Sequence, residues 1–315
     1  MFARVTRSGH EPVPTLTTLN ITVFCFLASY LVALGVEVAR LWRPAKWQRN
    51  GMLFAGAAGL VAHSLYLIKR SQANGLPPLV GSAHDWLLVL AWLIVAGFLA
   101  AALLDRDVSL GVFALPLVLA LVLTSYATGR EAGDDPLVEL GRRRWTMLHA
   151  SGLAIGFASM AGAFLASVMY LVQHRRLRSP RHGHASWKMP SLESLASGTR
   201  WLVFAGFGFL TLGVVTGVIL GLGPSARPSA AVFLDPQVLA GLTVWTLLAG
   251  GLVWLSTRPR STGKQVAWLA ATAGAVLLCT IVGLQAFTGR NHAGMHGGAP
   301  DSNATPAANT REVRP

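Results

Sequence analysis

The chain has 315 residues, of which 53% are hydrophobic and only 12% are charged, and its formal net charge is +13 at pH 7. A water-soluble domain usually has about a quarter of its residues charged, so this composition excludes a soluble globular protein, and the presence of only two cysteines excludes a disulfide-stapled one. The basic residues lie in short loops between apolar runs, where they anchor and orient membrane helices instead of binding nucleic acid.

Eight apolar runs approach or reach the length of about 20 residues that a membrane-spanning helix needs. In chain order they are 21–39, 52–68, 85–104, 110–126, 147–172, 201–222, 237–256 and 266–287. The first run is expected to be a retained helix, because no small-residue cleavage site follows it cleanly. The pattern predicts an all-α polytopic membrane protein, a bundle of about eight transmembrane helices that forms one domain over residues 1–290. Residues 291–315 are rich in Gly, Ala, Pro and Asn and are expected to form a disordered outer tail.

The distribution of basic residues predicts an orientation. The loops that follow the first, fifth and seventh runs are densely basic near the helix ends. Because such loops stay in the cytoplasm, both termini are predicted to lie outside. The longest basic stretch, residues 173–200, is interpreted as a cytoplasmic hinge between two four-helix halves.

Ionisable side chains near a bilayer core are rare unless they are used. In the predicted orientation four histidines fall in the outer half: His63 in the second run, His84 at the start of the third, His149 at the entry of the fifth and His292 after the eighth. Neutral imidazole is a good iron ligand. His149 and His292 are therefore interpreted either as a pair of haem ligands or as ordinary interfacial residues, and His63 either as part of a second ligand set or as a hydrogen-bonded core residue.

Other polar and small residues have simpler interpretations. Cys25 and Cys279 are solitary and are expected to be small buried hydrophobes. No Cys-x-x-Cys-His segment occurs, so the chain does not itself attach a c-type haem. Gly213, Gly217 and Gly221 recur every four residues and are expected to let another helix approach closely.

Several segments together carry a family resemblance. They are Leu60-Val-Ala-His63, Gly81-Ser-Ala-His-Asp-Trp, Leu148-His149-Ala-Ser-Gly, Met189-Pro-Ser-Leu-Glu193, the glycine-bearing stretch from Gly206 to Gly217, and Leu234-Asp235-Pro236, with His292 beyond the last run. In order and spacing they resemble the cytochrome c assembly family, the haem-handling membrane proteins of the CcsA, CcmC and HemX type. The eight-run length is closest to the short HemX-like and YpjD-like branch.

One departure from that family concerns its tryptophan-rich outer loop, which ends in Trp-Asp-Pro. The corresponding residues 221–236 keep Asp235 and Pro236 but contain no tryptophan, and Phe233 is the only aromatic residue. Flat aromatic faces supply stacking area for a porphyrin, so their loss argues against a haem-delivery platform. Asp235 is interpreted more readily as a helix N-cap than as a haem contact.

The resemblance implies a haem-handling protein of cytochrome c biogenesis, a multi-pass protein of the bacterial inner (plasma) membrane that works with other maturation proteins and apocytochrome c. It would hold or present haem b at the outer face, with His149 and His292 as iron ligands and His63, His84 and Asp235 as further site residues. No catalytic residue is assigned, and an enzyme acting alone is not expected. The alternative is a HemX-like scaffold or regulator without haem. A solute transporter is disfavoured, because the chain lacks paired broken helices and intramembrane carboxylates beyond Glu37.

Overall fold

The structure is a computed structural model that describes residues 15–42, 45–75, 77–104, 110–126, 140–178, 190–222, 236–257 and 263–296. Within these segments all regular structure is α-helical and no strand occurs. The helices are α1 (Thr15–Trp42), α2 (Lys46–Asn74), α3 (Pro78–Gly81), α4 (Ala83–Leu104), α5 (Gly111–Tyr126), α6 (Leu140–Arg178), α7 (Leu192–Gly221), α8 (Pro236–Ser256) and α9 (Gly263–His296).

Each of the eight predicted runs coincides with one long helix. Six stretches are long and apolar enough to cross a membrane, whereas Gly111–Tyr126 and Gly241–Leu255 are apolar but shorter. The six stretches are Val23–Trp42, Trp47–Asn74, Ala83–Leu104, Arg144–Arg178, Leu192–Gly221 and Gly263–Gly283. The prediction of an all-α polytopic membrane protein is confirmed.

Local signals define several helix ends. Gly75 ends α2 with a positive φ of 63°, because glycine adopts this left-handed conformation without steric cost. The Ser82 hydroxyl accepts a hydrogen bond from the backbone N–H of Asp85 at the start of α4 (3.2 Å). Ser191 caps α7 in the same way, with Ser194 N–H as donor (3.1 Å). Short polar caps therefore separate apolar runs that would otherwise merge.

The core is continuous across the bundle because α6 packs against the helices before it in the chain and against those after it. The largest buried cluster joins α1, α2, α4 and α5, and includes Phe26, Tyr30 and Leu115. A second cluster joins α6 to α7, α8 and α9 through Met160 and its neighbours. Phe157 of α6 packs against both clusters and makes an edge-to-face contact with Trp86, with ring centroids 5.3 Å apart.

The interface between α6 and α7 is the most extensive in the bundle, and glycines make it close. A Cβ atom added at Gly213 would lie 2.5 Å from Leu153 Cδ2, and one added at Gly156 would lie 2.9 Å from Leu210 Cγ. Real Cβ atoms essentially never approach another atom within 3.0 Å. The expectation that the Gly213 and Gly217 face allows close helix approach is therefore confirmed.

The two cysteines differ from the expectation. Cys25 and Cys279 are exposed on the outside of the bundle, and the prediction that they are buried is wrong. In a membrane, lipid tails solvate an apolar side chain as well as the protein core does. Hydrophobicity in the sequence therefore does not distinguish residues that face the core from residues that face lipid.

Candidate functional site

Two ends of the bundle can be distinguished by what they carry. We call the end with the start of α4, the start of α6 and the C-terminal half of α7 the histidine end, because His84 and His149 lie there. The opposite end, with the C-terminus of α6 and the start of α9, is called the basic end, since Arg175 and Arg178 lie in the last turn of α6. Sequence reasoning predicts that the histidine end is outside.

His149 is the best-defined candidate ligand at the histidine end. Its Nδ1 atom lies 2.7 Å from the carbonyl oxygen of Gly213 on α7, and the Thr216 hydroxyl lies 3.5 Å from the same nitrogen. A carbonyl oxygen only accepts hydrogen bonds, so Nδ1 carries the proton and donates it. In neutral imidazole the lone pair is then on Nε2, which makes no hydrogen bond within the described residues.

The sequence of α7 makes room for this ring. A Cβ atom at Gly217 would lie 2.8 Å from His149 Cε1 and 3.1 Å from Nδ1. Any larger residue at position 217 would therefore displace the imidazole. We call Gly213, Thr216 and Gly217 the imidazole seat. Sequence analysis found the glycines from their spacing, but the contact with His149 joins residues more than sixty positions apart and has no local signal.

His292 is described in its backbone only, and Asp235 is not described. Position 292 lies within α9, which continues past Phe287 to His296, and of this part of the helix the structure describes the backbone alone. Residues 291–296 are thus helical, whereas the sequence predicted a disordered tail from residue 291. Asp235 lies outside the described residues, although α8 begins directly after it, at Pro236.

His84 is held inside the first half of the bundle. It has no exposed surface, its Nδ1 lies 2.7 Å from the Ser125 carbonyl oxygen, and its Nε2 lies 3.4 Å from the Tyr66 hydroxyl. Donation from Nδ1 to the carbonyl leaves Nε2 to accept from the tyrosine. Both ring nitrogens are engaged, so His84 holds α2, α4 and α5 together.

A buried ion pair beside His84 was missed by sequence reasoning. Asp85 accepts a hydrogen bond from Arg70 Nε, and both side chains are buried. The available signal was an arginine at the end of one apolar run and an aspartate at the start of the next, which a short connection brings together.

His63 lies deeper in the first half and apart from His149. Its Nδ1 is 3.2 Å from the Tyr30 hydroxyl, and its ring stacks on Phe26 with centroids 4.3 Å apart and an angle of 2° between the planes. The Nε2 atom is buried without a hydrogen-bond partner. The contact of His63 Nδ1 with Tyr30 thus fits the interpretation of His63 as a hydrogen-bonded core residue, while Nε2 takes no part in it.

Among the residues that the structure describes, the other buried carboxylate is at the basic end. Glu37 has no exposed surface and forms an ion pair with Arg40 one turn later on α1, at 3.7 Å. It also lies against Gly111 at the start of α5. Within the described part of the chain no group of three or more His, Cys, Asp or Glu side chains could hold a metal ion. A metal ligand at the histidine end would therefore come from single imidazoles.

Comparison with known proteins agrees with the resemblance noted in the sequence. The chain is 28% identical over 156 residues to "Cytochrome c biogenesis protein CcsA" of Gloeobacter violaceus, which covers 47% of this chain and 46% of that protein. It is 26% identical over 243 residues to the protein of the same name from Synechococcus elongatus, with 70% and 74% covered. It is 23% identical over 229 residues to "Protein HemX" of Brevibacillus brevis, with 72% and 82% covered.

The chain thus spans about half the length of the Gloeobacter relative. No solved structure matches it. Residues 79–287, well over half of the chain, match the family described as Cytochrome C assembly protein. This segment contains His84, His149 and Asp235, whereas His63 precedes it and His292 follows it. The chain belongs to the cytochrome c assembly protein family.

Proposed function

We propose that this chain is a membrane haem-handling protein of cytochrome c biogenesis, in which His149 and His292 would hold the iron of haem b at the histidine end. The observation that carries the proposal is the hydrogen bond from His149 Nδ1 to the Gly213 carbonyl. A ligating histidine typically donates its other ring N–H to a carbonyl or carboxylate, which fixes the tautomer and raises the basicity of the free nitrogen. His149 has this arrangement, with Nδ1 2.7 Å from the Gly213 carbonyl oxygen.

The donor set fits haem better than a free metal ion. His149 is a preoriented imidazole, position 292 carries a second histidine on the helix that ends at the same end of the bundle, and two histidines in an apolar membrane setting could hold a haem iron. Bound haem would supply an iron that neutral imidazole coordinates, and it would be cargo for transfer rather than a catalyst. The role of this chain is to orient the His149 ring through the imidazole seat and to hold the neutral ring in the tautomer whose lone pair is on Nε2.

The other candidates take supporting roles in this proposal. His84 has both ring nitrogens engaged, and His63 packs against Tyr30 and Phe26 of α1. Asp235 precedes Pro236 at the start of α8, where an acidic side chain caps a helix. In the proposed setting the partners are other maturation proteins and apocytochrome c, and the site faces the outside of the bacterial inner membrane.

The test is the haem content of the protein purified in mild detergent, measured as the pyridine haemochrome. We expect His149→Ala and His292→Ala each to lower haem content or to alter the redox difference spectrum, because each removes one axial ligand. Asp235→Ala is expected mainly to lower stability. His174→Ala, at the basic end, is the matched control and should leave the spectrum unchanged. If haem is bound and neither His149→Ala nor His292→Ala changes it, the ligand assignment is wrong.

A second candidate function is a HemX-like scaffold or regulator that binds no haem. Two observations favour it: the loop 221–236 lacks tryptophan, and the similarity to "Protein HemX" covers 72% of this chain. Wild-type protein that carries no haem, even after haem is added during membrane preparation, would support this function and reject the first.

A further inference from the structure

The proposed haem site needs an aromatic surface that the loop after α7 does not supply. Residues 221–236 contain no tryptophan, and Phe233 is their only aromatic residue. Axial imidazoles hold the iron alone, so the flat apolar ring around the iron still has to pack against apolar side chains, and aromatic faces suit it best. The described residues at the histidine end offer such a surface on α6.

The surface is the side chain of Trp145, which lies on α6 four residues before His149. Residues four apart are neighbours on one face of a helix. Trp145 and His149 therefore share a face of α6, about 6 Å apart along the helix at about 1.5 Å per residue. The Trp145 side chain is 44% exposed. A half-exposed indole thus lies one helical turn from the proposed iron ligand, on the side of the helix start.

The packing of α7 on α6 leaves Trp145 at the edge of the interface. Two contacts define the register of these antiparallel helices: Gly213 with Leu153, and Gly217 with His149. Four residues further along α7 and four residues back along α6, the same register pairs Gly221 with Trp145. Gly221 is the last residue of α7 and has no side chain that could cover the indole. Trp145 thus lies where the segment that is tryptophan-rich in the family begins.

The Trp145 ring is not used to hold the described helices together. Among the described side chains, no aromatic ring stacks on it and its indole N–H makes no hydrogen bond. Other tryptophans are engaged inside the bundle: Trp86 makes its edge-to-face contact with Phe157, and the Trp245 indole N–H donates to the Thr211 hydroxyl at 2.9 Å. The face of Trp145 is therefore open to a ligand that lies over the imidazole seat.

We propose that Trp145 supplies the porphyrin-stacking surface of this chain, in place of tryptophans in the loop 221–236, and packs against the ring of the haem that His149 holds. The inference rests on the proposed haem function. It deepens that function, because it assigns to one side chain the recognition of a flat tetrapyrrole ring, whether or not the ring contains iron. His149 then binds the metal, and Trp145 binds the macrocycle.

The test compares haem with metal-free protoporphyrin IX, which offers the ring without an iron. The full chain is purified in mild detergent, freed of haem and titrated with each compound, followed by the absorbance of haem and the fluorescence of protoporphyrin. We expect Trp145→Ala to lower both affinities about tenfold, which corresponds to about 1.4 kcal/mol, because it removes an aromatic packing surface. Trp145→Phe keeps an aromatic face and should recover most of both affinities.

Trp201→Ala is the matched control, because it removes an exposed tryptophan of α7 at the basic end; it should bind both compounds as the wild type does. Equal affinities of Trp145→Ala and Trp201→Ala would overturn the inference and make Trp145 an ordinary tryptophan of the membrane interface. The inference also fails if Trp145→Ala weakens haem binding alone, since Trp145 would then act only by positioning His149.

The wild type separates failure of this inference from failure of the proposed function. Wild-type protein that binds neither compound would reject the haem function, and the role of Trp145 with it. Wild-type protein that binds haem and is matched by Trp145→Ala would reject the role of Trp145 alone. Because Trp145 is half exposed, Trp145→Ala should melt at the temperature of the wild type, and its loss of binding is then not a loss of folding.

Discussion

At the scale of single residues, the state of His149 depends on the backbone of a neighbouring helix. The Gly213 carbonyl accepts from Nδ1, so the proton is kept on that nitrogen and the lone pair on Nε2. A free imidazole in water exchanges between its two tautomers, and only one of them offers Nε2 to iron. The imidazole seat therefore favours the tautomer with its lone pair on Nε2, the one that the proposed haem site needs, and it does so with main-chain atoms that most substitutions cannot remove.

Gly217 is the part of the imidazole seat that a substitution can change. Gly217→Ala would place a Cβ atom 2.8 Å from His149 Cε1, so the ring must turn and lose its bond to Gly213. We expect haem content to fall by roughly the factor of 10 to 100 seen when partners of metal ligands are changed. Gly208→Ala, on the same helix with nothing within 4 Å, is the control. The haemochrome assay measures both variants. Equal haem content in the two would contradict the role of Gly217 in seating the His149 ring.

The Arg70–Asp85 pair gives a residue-scale prediction about stability. Asp85→Ala would leave the Arg70 charge buried without its carboxylate, and removal of one partner of a buried pair costs about 3–5 kcal/mol. We expect a clearly lower melting temperature in detergent. The double change Arg70→Met and Asp85→Leu should recover most of the loss, because it removes both charges. If the double variant is no more stable than Asp85→Ala, the cost does not come from separating the Arg70 charge from the Asp85 carboxylate.

At the scale of helices, the contact between α6 and α7 depends on which positions are glycine. At Gly156 a Cβ atom would meet Leu210 Cγ at 2.9 Å and the Leu210 backbone nitrogen at 3.0 Å, whereas at Gly162 the nearest atom is 3.4 Å away. We therefore expect Gly156→Ala to separate the helices and lower stability by about 1–3 kcal/mol, the usual cost of overpacking. Gly162→Ala should be tolerated. Thermal unfolding in detergent compares the two variants. Similar melting temperatures would contradict the conclusion that α6 and α7 need glycine at position 156 to pack closely.

The helices themselves were largely predictable, and the reasons for the exceptions are physical. Apolar runs identify segments that lipid surrounds, so they located eight helices. They did not locate the start of α6 at Leu140, because the beginning of this helix contains three arginines, Arg142 to Arg144, that lie before the apolar run. The four-residue α3 begins at Pro78 and is too short for a periodic pattern. The exposure of Cys25 and Cys279 could not be predicted, because core and lipid favour the same side chains.

The candidate site was predictable only in part. The sequence indicated His149 by its position and chemistry, but the Gly213 carbonyl is a backbone group present at every residue and carries no sequence signal. His84 and His63 could not be separated from His149 by sequence, because burial and hydrogen bonding distinguish them. His84 uses both nitrogens, and His63 uses one.

At the scale of the whole molecule, the predicted orientation decides which compartment each site faces. The basic loops predict that residue 181 is cytoplasmic and residue 135 external. A reporter fused after Arg181 should therefore be active only in the cytoplasm, and one fused after Asp135 only outside. A paired set of phosphatase and fluorescent-protein fusions measures this, each serving as the control for the other. The opposite pattern would place His149 on the cytoplasmic face and reject haem presentation at the outer surface.

The length of α6 has a consequence for the membrane around it. Its 39 residues extend about 58 Å at about 1.5 Å per residue, close to twice the hydrocarbon thickness of about 30 Å. The helix therefore emerges from the bilayer or tilts strongly, and it connects the two membrane–water interfaces at a fixed length. His149 and Tyr170 lie on this same helix at a fixed separation. If one of them stays at its membrane interface while the bilayer becomes thinner or thicker, the depth of the other residue in the bilayer changes.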